Sequence, residues 1–110
     1  MMAAALLAAC PTEQLPADLG DCPDNSTMTW TVAEPLFAEH CAGCHSSQLI
    51  TPAERQNATE GVNFDTAEGA RAQDWLAWSQ VRTGAMPQDG PLSPADALLL
   101  WEWWSCGGPD

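Results

Sequence analysis

Two cysteines and a histidine lie close together in FAEHCAGCH, residues 37–45. Two residues separate Cys41 from Cys44, and His45 follows the second cysteine directly. Three chemistries use thiols at this spacing: a redox-active dithiol, a zinc site and the covalent attachment of a haem. Each chemistry needs different partners from the rest of the chain, so the search for those partners discriminates between them.

The motif favours covalent haem attachment over its two alternatives. A thioredoxin-like dithiol needs a strand before the motif and a βαβ unit around it, and the sequence indicates neither. A zinc site needs four ligands, and the only other histidine, His40, lies beside Cys41, where it is poorly placed to complete a tetrahedron with Cys41, Cys44 and His45. In covalent attachment the two thiols add to the two vinyl groups of the macrocycle, and the histidine that follows binds the iron.

A second axial ligand must come from a distant part of the chain. Met86 lies in TGAMP, residues 83–87, just after a predicted helix end. Gly84 allows a sharp turn, and Pro87 stiffens the segment that presents the sulfur. Met86 is therefore the expected ligand, with core packing as the alternative. Met28 is assigned to packing or to a tether, and His40 to solvent or a local carbonyl.

The elements that must position these residues are predicted to be helices. Apolar residues recur at steps of three or four, and no stretch alternates for long enough to indicate a sheet, so the class is all-α. Three helices are expected: from a cap at Thr29 or Thr31 to Cys41, from about Thr66 to Arg82, and from Ser93 to a stop at Cys106. The loop between the first two, residues 46–65, is long enough to suggest a functional role.

The charge of the chain excludes some partners. The 110 residues contain 15 acids, three arginines and no lysine, for a formal charge of −12. Nucleic acids and anionic membranes are bound mainly through Lys and Arg, so neither is an expected partner. The acidity favours a partner with a basic face, and solubility alone is the alternative explanation.

The N-terminus indicates export. Residues 1–10, MMAAALLAAC, read as the remnant of a signal peptide whose ending resembles a lipobox, in which Cys10 is acylated. No Lys or Arg precedes the apolar run, so the alternative is a truncated export signal with an ordinary Cys10. Residues 11–29 are rich in Pro, Asp and Thr and predict a flexible tether. The folded domain is expected over residues 30–110.

With these motifs in place, the chain resembles a small class I c-type cytochrome. The segments that carry the resemblance are FAEHCAGCH, GVNFDT, GAMP and LLLWEWWSCG, and it extends over residues 30–108. The variant is the monohaem kind found in exported proteins of delta-proteobacteria and planctomycetes. The resemblance implies three to four helices wrapped around one haem c, with attachment to Cys41 and Cys44 and ligation by His45 and Met86.

The resemblance also implies contacts around the haem. The first and last helices should cross, which sets Leu36 or Phe37 against Leu98, Trp101 or Trp104. Apolar side chains should wall the haem and raise its reduction potential by excluding water, with plain core packing as the alternative for each of them; they are Phe37, Leu49, Ile50, Val62, Phe64, Trp78, Val81, Leu92 and Leu98. Arg55 or Trp75 is expected to bind a propionate, with a solvated Arg55 as the alternative.

The remaining cysteines and the tryptophans of the last helix also lead to structural expectations. Cys22 and Cys106 remain after haem and lipid are assigned, and because export permits disulfides, we expect them to form a bridge. Trp101, Trp103 and Trp104 cannot all face inward from one helix, so one of them should lie at the surface, as a docking contact or beneath the tether.

The expected function is an electron carrier in the periplasm or cell envelope rather than an enzyme, because a His/Met-ligated iron has no open position for a substrate. Its partners would be redox proteins, with membrane contact only through a lipid on Cys10. The alternatives are a ligand-binding or catalytic haem protein with a displaceable Met86, and a zinc-stabilised interaction module.

Overall fold

The computed structural model describes residues 15–110, and its regular structure is entirely helical. The four helices are α1 (Trp30–His40), α2 (Ala67–Ala72), α3 (Asp74–Thr83) and α4 (Pro94–Ser105). The all-α class is confirmed, since residues 15–110 contain no strand. No helix in the described part of the chain is long and apolar enough to span a bilayer.

The single helix expected over residues 66–82 is divided at Gln73 into α2 and α3. In a continuous helix, the carbonyl of Ala70 would accept from the N–H of Asp74. Here that carbonyl accepts instead from the Gln73 N–H at 3.2 Å and from the indole N–H of Trp104 at 3.0 Å. The Trp104 side chain from α4 therefore bonds to the Ala70 carbonyl, whose bond to the Asp74 N–H would have continued the helix.

Side chains cap two of the N-termini, whereas Thr29, at the expected cap position of α1, makes no side-chain hydrogen bond to the helix. The hydroxyl of Thr66 accepts from the Gly69 N–H at the start of α2, and that of Ser93 accepts from the Asp96 N–H at the start of α4. Gly69 is also required by close packing, because a Cβ there would lie 2.7 Å from the carbonyl oxygen of Asn63. This contact draws α2 against the end of the preceding loop.

An aromatic cluster joins α1 to α4. The Phe37 ring meets Trp103 and Trp104 edge-on, with ring centroids 5.4 and 5.3 Å apart, and it stacks on Phe64 at 5.7 Å. Trp30 adds a further contact to Trp103. The expected contact between Phe37 and Trp104 is thus present. Leu98, expected beside them, is 42% exposed and lies outside the cluster.

Residues 15–29 pack against the helices, which differs from the flexible tether expected over 11–29. The indole N–H of Trp78 donates to the Pro16 carbonyl at 3.0 Å, and that of Trp101 donates to the Asp18 carbonyl at 2.9 Å. Buried indoles need acceptors, and this segment supplies them. Trp101 is therefore the tryptophan covered by the N-terminal segment. The expected leader and the acylation of Cys10 lie outside the described residues, as does the rest of the tether.

The expected bridge between Cys22 and Cys106 is present in the structure. It closes a loop across a sequence separation of 84 residues and joins the N-terminal segment to the C-cap of α4. Nearby, the hydroxyl of Ser26 donates to the carboxylate of Glu102 on α4. Together with the bond from Trp101 to Asp18, the segment is thus held to α4 by a covalent bond and two hydrogen bonds.

We predict that Cys106→Ser lowers the free energy of unfolding by about 4–5 kcal/mol, because opening a loop of this length restores chain entropy to the unfolded state. Denaturant unfolding measures the loss. The double variant Cys22→Ser/Cys106→Ser should lose a similar amount, because only one bridge can be broken. Labelling of Cys22 and Cys106 in the non-reduced native protein would contradict the bridge.

Candidate cofactor-binding site

Two adjacent cavities lie beside the CxxCH motif, with volumes of about 200 and about 460 Å³. Apolar side chains dominate the smaller cavity, among them Val62, Phe64, Leu76, Ala77, Val81 and Trp104. Polar groups from Glu39, Gln56, Asn57, Thr59, Gln88 and Asp89 line the larger one. The two share His40, Cys41, His45, Met86 and Pro87, so they form one cleft with an apolar and a polar part.

The backbone of the motif turns tightly after α1. The N–H groups of Cys41 and Ala42 both donate to the Phe37 carbonyl at 2.9 Å. The carbonyl of Cys41 in turn accepts from Cys44 at 3.2 Å and from His45 at 2.9 Å. Cys41 and His45 line both cavities, and Cys44 lines the larger one. All three motif residues therefore reach the same cleft.

The imidazole of His45 is held in one orientation. Its Nδ1 lies 3.0 Å from the carbonyl oxygen of Val62, and the ring meets Phe64 edge-on at 5.5 Å. The carbonyl of His45 also accepts from the Phe64 N–H at 2.7 Å. Because a carbonyl can only accept, Nδ1 carries the proton and Nε2 keeps its lone pair. This is the tautomer and the partner typical of a metal-ligating histidine.

Met86 lies on the same cleft as His45, far from it in sequence. Gly84 ends α3 in the left-handed conformation (φ 84°), as expected for a C-terminal cap. The chain then turns back, and the Met86 N–H donates to the Gln80 carbonyl at 3.1 Å. Met28, by contrast, lies in the buried core, in agreement with its assignment to packing.

His40 differs from expectation. It was assigned to solvent or a local carbonyl, but its side chain is 21% exposed and lines both cavities. Its Nε2 is buried and has no hydrogen-bond partner; the nearest carboxylate oxygens belong to Asp96 at 3.6 Å and Glu39 at 3.8 Å. Buried polar groups are normally satisfied. The Nε2 of His40 is an exception, with two carboxylates close by but beyond hydrogen-bond distance.

The surroundings of Cys41 disfavour its thiolate. Burial raises the pKa of the Cys41 thiol to about 12, so the free thiol stays protonated at neutral pH. Redox dithiols of the thioredoxin kind instead have one cysteine with a lowered pKa. Within residues 15–110, no group of three or more His, Cys, Asp or Glu is arranged to hold a metal ion, so the zinc alternative gains no ligand set.

Arg55 organises the loop at residues 46–65. It is 4% exposed, and its guanidinium donates to the carbonyls of Ser46, Leu49, Ala58, Thr59 and Val62 and to the side-chain oxygen of Asn63. Arg55 lines neither cavity of the cleft, and its donors are already engaged. Neither a propionate contact nor a solvated side chain fits this arrangement. Trp75, the other candidate, lines neither cavity and is 47% exposed.

Two carboxylates support the same loop, one where its ends meet and one in its interior. The hydroxyl and N–H of Ser47 donate to Asp65 at 2.6 and 3.0 Å, and these bonds lower the pKa of that carboxyl. Glu54 accepts from the N–H groups of Thr51 and Ile50, which likewise lowers its pKa. The hydrogen bonds to Asp65 and to Glu54 favour the ionised carboxylates, so this support for the loop persists at neutral pH.

The structure redistributes the residues expected to wall a haem. Phe64, Val62 and Val81 line the smaller cavity, as expected. Trp78 does not line the cleft, because its fully buried ring packs in the core and its indole bonds to the N-terminal segment. Ile50, at 74% exposed, faces solvent. The remaining candidates line neither cavity; they are Phe37, Leu49, Leu92 and Leu98.

One wall of the cleft, formed by α3 and its N-cap, was not predicted from the sequence. Gln73, Leu76, Ala77 and Gln80 line the smaller cavity from α3 and its N-cap. Their spacing of three or four places them on one helical face, a signal that the sequence contains but that the polar glutamines obscure. Trp104 also reaches this cavity from α4.

No protein-family model matches the chain, and no curated protein or solved structure is significantly similar to it. The motif and the geometry of the cleft are therefore the basis on which its function can be inferred.

Proposed function

We propose that the chain is a single-haem c-type cytochrome that carries one electron between redox proteins. One observation carries the proposal: Cys41, Cys44, His45 and Met86 meet on one cleft, where the Val62 carbonyl leaves Nε2 of His45 available. Covalent attachment at CxxCH and axial ligation by His and Met require this combination. The meeting of these four side chains on one cleft supports the proposal that they hold a haem.

The two parts of the cleft suit the two parts of a haem c. The macrocycle is apolar, as is the smaller cavity, and the propionates are polar, as are Gln56, Asn57 and Gln88 in the larger one. The thiols of Cys41 and Cys44 would each add S–H across one vinyl C=C bond, which consumes no other reactant. When bound, the haem supplies an iron that alternates between ferric and ferrous states.

The chain's own residues would set the properties of that iron. His45 is oriented by Val62 and Phe64, and Met86 offers a thioether from the segment after α3. Apolar side chains such as Val81 exclude water from the smaller cavity. Water exclusion and a thioether ligand both raise the reduction potential.

The disulfide supports export. Cys22 and Cys106 are bridged, and such bonds persist in oxidising compartments outside the cytosol. We propose a periplasmic or cell-envelope location on this basis. Lipidation of Cys10 remains a prediction from the sequence.

The first prediction for this function is one covalent haem per chain, measured by the pyridine haemochrome spectrum of the protein made with haem-attachment machinery. Cys41→Ala/Cys44→Ala should lose the covalent haem, because both attachment points are removed. The matched control Cys22→Ser/Cys106→Ser should retain it. Stoichiometric zinc and no haem would instead support an interaction module.

Met86→Ala should abolish the near-infrared sulfur-to-iron band of the oxidised protein and lower the reduction potential by on the order of 100 mV or more, because the thioether is lost. Met28→Leu is the control, since Met28 is buried away from the cleft, and it should leave the band unchanged. A band that survives in Met86→Ala would remove Met86 as the ligand. Carbon monoxide binding to the wild-type ferrous protein would favour the ligand-binding alternative.

Electrostatic docking is expected to depend on salt. With a formal charge of −12, the protein should exchange electrons with a basic test cytochrome at a rate that falls steeply as salt rises. The rates are measured by stopped flow from about 10 to 300 mM salt, a range over which the Debye length falls from about 30 Å to below about 8 Å. An acidic test cytochrome serves as the control and should react more slowly at low salt. A basic partner without salt dependence would indicate apolar docking and acidity that serves solubility.

A further inference from the structure

One backbone carbonyl connects Arg55 to His45. The oxygen of Val62 lies 3.0 Å from Nδ1 of His45 and accepts from Nη2 of Arg55, also at 3.0 Å. A carbonyl oxygen has two lone pairs, so it can accept both bonds at once. The guanidinium is thus one shared atom away from the imidazole.

Arg55 is an unusual charge for this position. Its other close acceptors, the carbonyls of Ser46 and Thr59 at 2.8 Å and the amide oxygen of Asn63 at 2.9 Å, are all neutral. Among residues 15–110, no carboxylate lies within salt-bridge distance of it. A buried charge is costly unless something compensates it. The chain has 15 acidic residues against three arginines, so a carboxylate partner would have been easy to find at the surface.

We infer that Arg55 is a positioning residue that raises the reduction potential by acting on His45 through the Val62 carbonyl; this inference rests on the proposed haem function. A strong acceptor at Nδ1–H makes a ligating imidazole more electron-donating. The guanidinium draws electron density from the same oxygen and makes it a weaker acceptor for His45. The imidazole then donates less to the iron, which favours the ferrous state.

The charge of Arg55 acts in the same direction. Ferric iron carries one more positive charge than ferrous iron, so a buried cation nearby disfavours oxidation. Screening by solvent is weak for a side chain that is 4% exposed. The bond through Val62 and the direct field therefore both stabilise the reduced form.

The competing role is purely structural, since Arg55 also ties the loop together. The two roles predict opposite changes at one proton. Removal of Arg55 frees the Val62 carbonyl to accept more strongly from His45, which moves the Nδ1–H resonance downfield. A loop that only loosens would weaken that bond, move the resonance upfield and speed its exchange with solvent.

The test uses the haem-loaded full chain with Arg55→Gln, Arg55→Lys and the control Arg82→Gln. Arg82 is exposed, so its replacement makes the same charge change at the surface. In Arg55→Gln we expect the ferric-to-ferrous ratio at a fixed ambient potential to rise about tenfold, equal to about 59 mV for one electron. Arg82→Gln should change the ratio by less than about twofold, and Arg55→Lys should lie between them.

Haem stoichiometry distinguishes a failure of the proposed function from a failure of the role proposed for Arg55. A wild-type chain without haem would overturn the proposed function itself. A haem-loaded Arg55→Gln whose potential matches that of Arg82→Gln, or whose Nδ1–H moves upfield, would overturn the role of Arg55 alone.

A second variant decides the question if Arg55→Gln fails to retain haem. Asn63→Asp keeps Arg55 and places a carboxylate on its Nη1, so the cation is neutralised where it stands. Its potential should fall below that of Asn25→Asp, which adds the same charge at a distant exposed position. Equal potentials in these two variants would overturn the inference.

Discussion

The hydrogen bond between His45 and the Val62 carbonyl connects the two parts of the chain that build the cleft. One part is the CxxCH motif, which follows α1 directly and is shaped by local backbone bonds. The other is the loop at residues 46–65, which contains no helix or strand. A loop without regular structure has no ladder to satisfy its carbonyls. Arg55 takes that role, and the orientation of His45 depends on the loop it organises.

Around this connection, the rest of the molecule is a small core held by long-range contacts. Phe37 packs on Trp103 and Trp104, which fixes α1, and hence the motif, against α4. The disulfide and two indole bonds fasten residues 15–29 over the helices. A domain of this size buries little apolar surface by itself. Covalent closure and a cofactor that completes the interior are two ways in which small domains gain stability.

The cleft explains why three chemistries that share one cysteine spacing are not equally compatible with this chain. A redox dithiol requires a stabilised thiolate, whereas the surroundings of Cys41 disfavour one. The cleft instead offers an oriented imidazole, a thioether and an apolar wall within a single space. The polar side chains of the larger cavity add a place for polar groups.

Local features could be predicted from the amino-acid sequence: the helical class, the cap at Ser93, the turn at Gly84, and the residues of the motif. These depend on neighbours within a few positions, which periodicity and capping rules describe. The pairing of Cys22 with Cys106 was accessible too, by elimination among few cysteines.

The meeting of side chains from distant elements could be seen only in the folded molecule. The break at Gln73 depends on an indole that arrives from α4, and the burial of Trp78 depends on a carbonyl of the N-terminal segment. Arginine is a residue type usually found at the surface, but Arg55 is buried because five loop carbonyls accept hydrogen bonds from it. Such contacts satisfy hydrogen-bonding groups across long separations, and no pattern within a short window of sequence encodes them.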